Sequence, residues 1–185
     1  MKTRLNNELS LYPCPTVLVT SKLESIENVL TVSWAGIASS HPEYVSIAIN
    51  LKRYSHFLIE NSKKFCINIP NSNIIEQVDC CGNLSGKNIN KFDFCKFDKI
   101  YYQSDYILIE QCPVHLVCDV TQMINLGSHD LFIARITDKL MDTDIEYIHN
   151  EIDPIVYFRP NYYRINKDSL GFYGYSKQKL DSEKS

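Results

Sequence analysis

The feature that most restricts the fold of this chain is the stretch over residues 28–42, NVLTVSWAGIASSHP. Its first half has the chemistry of a strand. β-Branched Val29, Thr31 and Val32 suit a pleated, half-buried surface and lead into Trp34, the only tryptophan. Its second half consists of small residues, Ala35, Gly36, Ala38, Ser39 and Ser40, and is closed by Pro42. Small side chains in series let a ligand approach the backbone. The hydroxyls of Thr31, Ser33, Ser39 and Ser40 add neutral hydrogen bonds for a polar ligand. Taken alone, the pattern fits equally a buried strand ending in an ordinary polar turn.

Strand signals dominate the rest of the chain. Short β-rich runs occupy residues 15–21 (PTVLVTS), 44–50 (YVSIAIN) and 64–70 (KFCINIP), and residues 101–110 are aromatic and β-like. Residues 114–120 alternate as a half-buried antiparallel strand does. They pass through Asn125-Leu126-Gly127-Ser128 into residues 131–136, which reads as a long hairpin with His129 at its mouth. Residues 154–158 and 161–164 return towards the sheet. Two short helices interrupt the strands. The first has Ser55 as its expected N-cap, and the basic pair Lys52 and Arg53 before it makes its start an anion site. The second carries Asn73-x-x-Glu76 as an expected capping box and ends near Gly82. Residues 81–92, with two glycines, read as a loop.

A chain of 185 residues is long enough for one domain with a sizeable core. A formal net charge of −3 leaves no electrostatic footprint for nucleic acid. No apolar run has membrane-spanning length, and residues 1–13 lack a signal-peptide core, so the expectation is a cytoplasmic protein without a membrane partner. The seven cysteines include no C-x-x-C pair and no zinc or iron–sulfur spacing. Reduced thiols are the expectation, and no metal site is assigned. The adjacent Cys80 and Cys81 have the one notable spacing.

Several fragments in order give the chain a resemblance that none carries singly: Pro-x-Pro with LVTS; Asn28 with TVSW-x-G-x-x-SS-x-P; R-x-S at Arg53; CG-x-x-SG at Cys81 followed by KF at Lys91; and G-x-H at His129. Together they resemble the flavin reductase-like, FMN-binding split-barrel family in its flavoredoxin branch, over about residues 13–175. The resemblance implies a mainly β fold, a six-stranded antiparallel Greek-key split barrel with a few short helices. Residues 1–12 would be a lead-in and 176–185 a charged tail.

The resemblance also implies an FMN site. Its residues would be Asn28, Thr31, Ser33, Trp34, Ala35, Ser39, Ser40 and Ser85, with Arg53 and Ser55 towards the flavin phosphate, Lys91 towards the ribityl phosphate or the ring edge, and Tyr163 or Tyr162 beside the ring. His129 would stand near the flavin and the nicotinamide as the catalytic residue. The family pattern has aspartate before the lysine, where this chain has Asn90. The implied activity is an NAD(P)H:flavin (FMN) oxidoreductase of flavin or ferric-type acceptors, in a homodimer. The alternative is a flavoredoxin-like FMN electron carrier reduced by a redox protein partner. No G-x-G-x-x-G motif supports a Rossmann site.

Overall fold

The computed structural model describes residues 11–145, 152–165 and 168. The charged tail over 176–185 and most of the lead-in over 1–12 lie outside the described residues. In chain order the strands are β1 (Cys14–Pro15), β2 (Val17–Leu23), β3 (Ile26–Val32), β4 (Ala35–Ser40), β5 (Glu43–Asn50), β6 (Lys64–Ile69), β7 (Lys99–Tyr102), β8 (Tyr106–Ile109), β9 (Val114–Asn125), β10 (His129–Met141), β11 (Ile155–Phe158) and β12 (Asn161–Arg164). The helices are α1 (Tyr54–Ser62), α2 (Ile75–Asn83) and α3 (Lys91–Cys95).

The main sheet is antiparallel, with seven strands in the order β3-β2-β6-β9-β10-β5-β4. A three-stranded sheet, β1-β11-β12, and a two-stranded one, β7-β8, complete the set. The fold is therefore mainly β, as expected, but six strands is an undercount. The small-residue half of the 28–42 stretch is a strand of its own. Backbone pairing needs no large side chains, and β4 pairs with β5 from Ala35 opposite Ile47 to Ser40 opposite Glu43, with an irregularity after Ile37. The aromatic run at 101–110 is likewise two strands. Gln103 and Ser104, at φ of +47° and +63°, turn β7 back onto β8.

Two cores use opposite faces of the same strands. Val19, Leu30, Ile47, Phe65 and Phe132 fill the barrel. On the outer side, Leu18, Val29 and Ile107 meet Val78 and Cys81 of α2 and Phe92 of α3. Strands buried on both faces read as continuous apolar runs, which explains the VLV of β2. Each fully buried large side chain contributes about 1.5–3 kcal/mol. A buried amide ties the strands together. Asn68 donates to Leu18 O and Thr20 Oγ1 and accepts from Ile109 N and from His115 Nδ1 at 2.8 Å.

The opening that matters lies between β3 and β5. β3 pairs with β2 along one edge, while β5 is covered by β4 only as far as Ala48, whose N–H donates to Trp34 O. Beyond that point Ile49 and Asn50 share a cavity with Leu30 and Val32 of β3 rather than a ladder.

Candidate functional site

α1 starts at one end of this opening, and the turn before it is built by Asn50. The Asn50 side chain accepts from Lys52 N, and its carbonyl accepts from Arg53 N at 2.9 Å. Arg53 is thus the N-cap residue of α1, and no side chain caps the helix. The expected cap, Ser55, lies inside the helix. Its buried hydroxyl accepts from Asn28 Nδ2 at 2.9 Å. That bond commits both residues to joining β3 to α1 and leaves the Tyr54 and Ser55 amides without intrahelical acceptors, while His56 N donates to Arg53 O at 3.0 Å.

Two cavities meet at Arg53. One, of about 260 Å³, lies among Leu30, Ser33, Trp34, Ile49 and His129. The other, of about 350 Å³, lies among Asn28, Tyr54, Leu84, Ser85, Gly86 and Lys91. Leu30, Asn50 and Arg53 line both, so they form one groove with the guanidinium at its waist. Arg53 is exposed, and among the described residues its side chain has no hydrogen bond or ion pair. An apolar hollow of about 490 Å³ continues the groove past Trp34 and Ala35 towards Leu11, Pro13 and Leu131.

At the other end of the groove Gly86 approaches β3 closely. A Cβ there would stand 2.1 Å from Asn28 Oδ1, so only glycine fits unless the loop or the amide shifts. Lys91 lies beneath this loop and is 2% exposed. Its Nζ donates to Val29 O at 2.9 Å and to Cys81 O at 2.7 Å. An ammonium has three donors, so one N–H remains beyond these carbonyls, and the residue lines the cavity. Burial lowers the Lys91 pKa, and the Arg53 charge acts in the same direction.

His129 opens β10 directly opposite Asn50. Gly127, at φ of +87°, makes the preceding turn. The imidazole lies against the Trp34 indole, with ring centroids 4.5 Å apart, and its Nδ1 is 2.9 Å from Ser128 Oγ. Burial, followed by the charge of Arg53, lowers the His129 pKa and favours the neutral ring. The Trp34 side of the pair is 43% exposed to the groove.

The structure therefore brings together Asn28, Ser33, Trp34, Arg53, Ser85, Lys91 and His129 as groove-lining residues, with Ala35 on the apolar extension. Others stand differently from the expectation. Thr31 borders the groove, but its hydroxyl donates to Val78 O of α2. Ser55 is occupied by Asn28. Ser39 and Ser40 lie on β4 and line none of the cavities described, because the strand carries them away from Trp34 along β5. Tyr163 lies on β12 in the small sheet, edge-on to Phe158, while its neighbour Tyr162 bonds Asp79. Sequence reading missed Asn50 and Gly86. The signals available were an asparagine two residues before a basic pair and the second glycine of the CG-x-x-SG fragment.

Residues 9–166 match the flavin reductase like domain. A protein of unassigned function from Archaeoglobus fulgidus is 31% identical over 140 residues, 74% of this chain and 77% of its own length. Among solved structures, flavoredoxin from Methanosarcina acetivorans superposes with a TM-score of 0.90 at 21% identity, covering 97% of this chain and 99% of that one. An FMN-binding protein from Thermus thermophilus gives 0.82 at 17% identity, covering 93% of this chain and 99% of that one. At these identities the structures establish the fold.

Proposed function

The chain belongs to the flavin reductase-like family, and on that premise we propose that it is an FMN-dependent oxidoreductase that takes electrons from NAD(P)H and passes them to a flavin or ferric-type acceptor. The observation that carries the reading is Arg53, an exposed cation whose side chain has no partner among the described residues, placed where the two halves of the groove meet. A guanidinium matches phosphate geometry and binds it with charge-assisted hydrogen bonds. The helix start behind it favours an anion as well.

The residues fit a flavin mononucleotide. Arg53, the Tyr54 and Ser55 amides at the start of α1 and the Ser85–Gly86 loop would hold the phosphate. Asn28 and Ser55, fixed to one another, keep the floor of the groove in place, and the closeness of Gly86 to Asn28 leaves that end without side-chain bulk. Trp34, Ser33 and Ala35 would border the ring. Bound FMN would supply the electron chemistry, which needs no protein nucleophile. His129, largely neutral and braced by the indole, would orient the donor at the open face rather than transfer a proton. We propose further that two copies associate. The exposed Leu11 and Ile37, at 90% and 88%, flank the apolar extension of the groove and support that assembly.

The second reading, an FMN carrier reduced by a protein, draws support from the likeness to flavoredoxin. Absorbance separates the two. Protein loaded with FMN should bleach at its flavin band on anaerobic addition of NADH or NADPH alone. A flavin inert to both nucleotides but reduced by a ferredoxin-type donor would replace the reductase reading with the carrier.

A further inference from the structure

Outside the groove, three cysteines converge where α2 meets α3. Cys80 and Cys81 are consecutive in α2, and Cys95 is the last residue of α3. The Cys95 sulfur is 3.4 Å from that of Cys80 and 3.8 Å from that of Cys81. Among the described residues no other two thiols are in hydrogen-bond contact with one another.

The three are not equivalent. Cys80 is half-buried, whereas Cys81 and Cys95 are buried, so a reagent from solvent meets Cys80 first. Adjacent residues of a helix point about 100° apart, so joining Cys80 to Cys81 requires unwinding α2. Joining Cys80 to Cys95 requires only that facing side chains approach by about 1.4 Å, since a disulfide bond is about 2.05 Å long. The Lys91 ammonium, held at Cys81 O, is close enough for its charge to couple to all three sulfurs. Burial raises the Cys81 thiol to about 11 and raises the Cys95 thiol well above its ordinary value, so both stay protonated at neutral pH, which suits Cys95 to react second rather than first.

We propose that Cys80 and Cys95 are a reversible oxidation site for small hydroperoxides, with Cys80 as the sulfur oxidised first and Cys95 as the resolving thiol. The Cys80 thiolate attacks one peroxide oxygen and breaks the O–O bond. With hydrogen peroxide this leaves a sulfenic acid on Cys80 and, after protonation, one water. The Cys95 sulfur then attacks the sulfenyl sulfur, the S–O bond breaks, and a second water leaves with the Cys95 proton. The dithiol loses two electrons and two hydrogens, and the peroxide gains them. A dithiol reductant reverses the step by exchange. The bond closes a ring around the loop that carries Ser85 and Gly86, so the site staples one wall of the groove.

The test uses the full chain and hydrogen peroxide, followed by alkylation of remaining thiols, digestion and peptide mass mapping. The expected result is a Cys80–Cys95 cross-linked peptide lighter by two hydrogens, lost on treatment with dithiothreitol. Cys81→Ser should retain it. Cys95→Ser should lose it and leave a Cys80 sulfenic acid that dimedone traps. A Cys80–Cys81 link in the wild type, or Cys80 over-oxidised with no cross-link, would overturn the proposal. Because the wild-type map is decisive by itself, a variant that fails to fold does not remove the test.

Discussion

Arg53 and Lys91 carry the same formal charge towards the same groove, yet their surroundings assign them different work. Arg53 is exposed and its side chain has no partner among the described residues, while Lys91 is enclosed and satisfies the carbonyls of Val29 and Cys81. Hydrogen bonds to a charged group contribute about 1.5–3 kcal/mol each, and removing the ammonium orphans two buried acceptors. Lys91→Met should therefore lower the urea midpoint substantially, and flavin loss should follow unfolding. Arg53→Ala should change stability by no more than about 0.5 kcal/mol, as exposed substitutions do, yet weaken FMN binding roughly tenfold. Denaturation curves of both apo-variants beside flavin titrations check this. A Lys91→Met protein as stable as wild type would contradict it. Both cations were legible in the sequence as neighbours of the site. Burial was not, since it depends on how α3 packs beneath β3. The same held for His115, an unremarked strand residue. Enclosed beside Asn68, its imidazole titrates at about 4, lowered by burial. Between that value and the ordinary histidine pKa near 6.5 the unfolded chain binds the proton and the folded chain does not, so stability rises with pH across the window. Acidification from pH 7 to pH 4 should cost on the order of 3 kcal/mol through this residue, and His115→Gln should flatten that part of the curve.

At the scale of elements, the strands were legible because period-two alternation and β-branched runs survive without knowledge of partners. Residues 114–120 and 131–136 do form a hairpin, with β9 continuing to Asn125 and β10 reaching from His129 to Met141. Both helix starts were misread. A cap is assigned from a side chain assumed free to turn back on its own backbone. Ser55 instead meets Asn28, and the Asn73-x-x-Glu76 box gives way to a 3-10 turn over Ser72–Ile74 with no side-chain cap on α2. The expected 81–92 loop shrinks to residues 84–90, where Asn90 caps α3 by accepting from Phe92 N and Asp93 N. Within that loop Gly86 is the sensitive position. Gly86→Ala would drive its methyl into an Asn28 side chain that Ser55 already holds, so the loop must move. The expected outcome is a folded protein with near-native circular dichroism whose flavin dialyses away faster than that of wild type. Unchanged retention would show that the loop does not border the bound flavin.

For the whole molecule, the resemblance fixed the fold correctly while composition and periodicity alone stopped at a mainly β domain. The groove arises between β3 and β5, near in sequence but at opposite sides of the sheet order, closed by the start of α1 and by the 84–90 loop, and only the topology puts them together. Among the described residues no helix is long and apolar enough to cross a membrane. The central claim is that this groove holds a flavin by its terminal phosphate, with Arg53 as the principal cation. The most direct measurement is a paired titration of the apo-protein with FMN and with riboflavin, which differ only by that phosphate, repeated on Arg53→Ala. A charge-assisted phosphate contact worth about 1.5–3 kcal/mol requires the wild type to prefer FMN by at least about tenfold, and most of that preference should vanish in the variant. Equal affinity of the wild type for the two flavins, or a preference that Arg53→Ala leaves intact, would contradict the account.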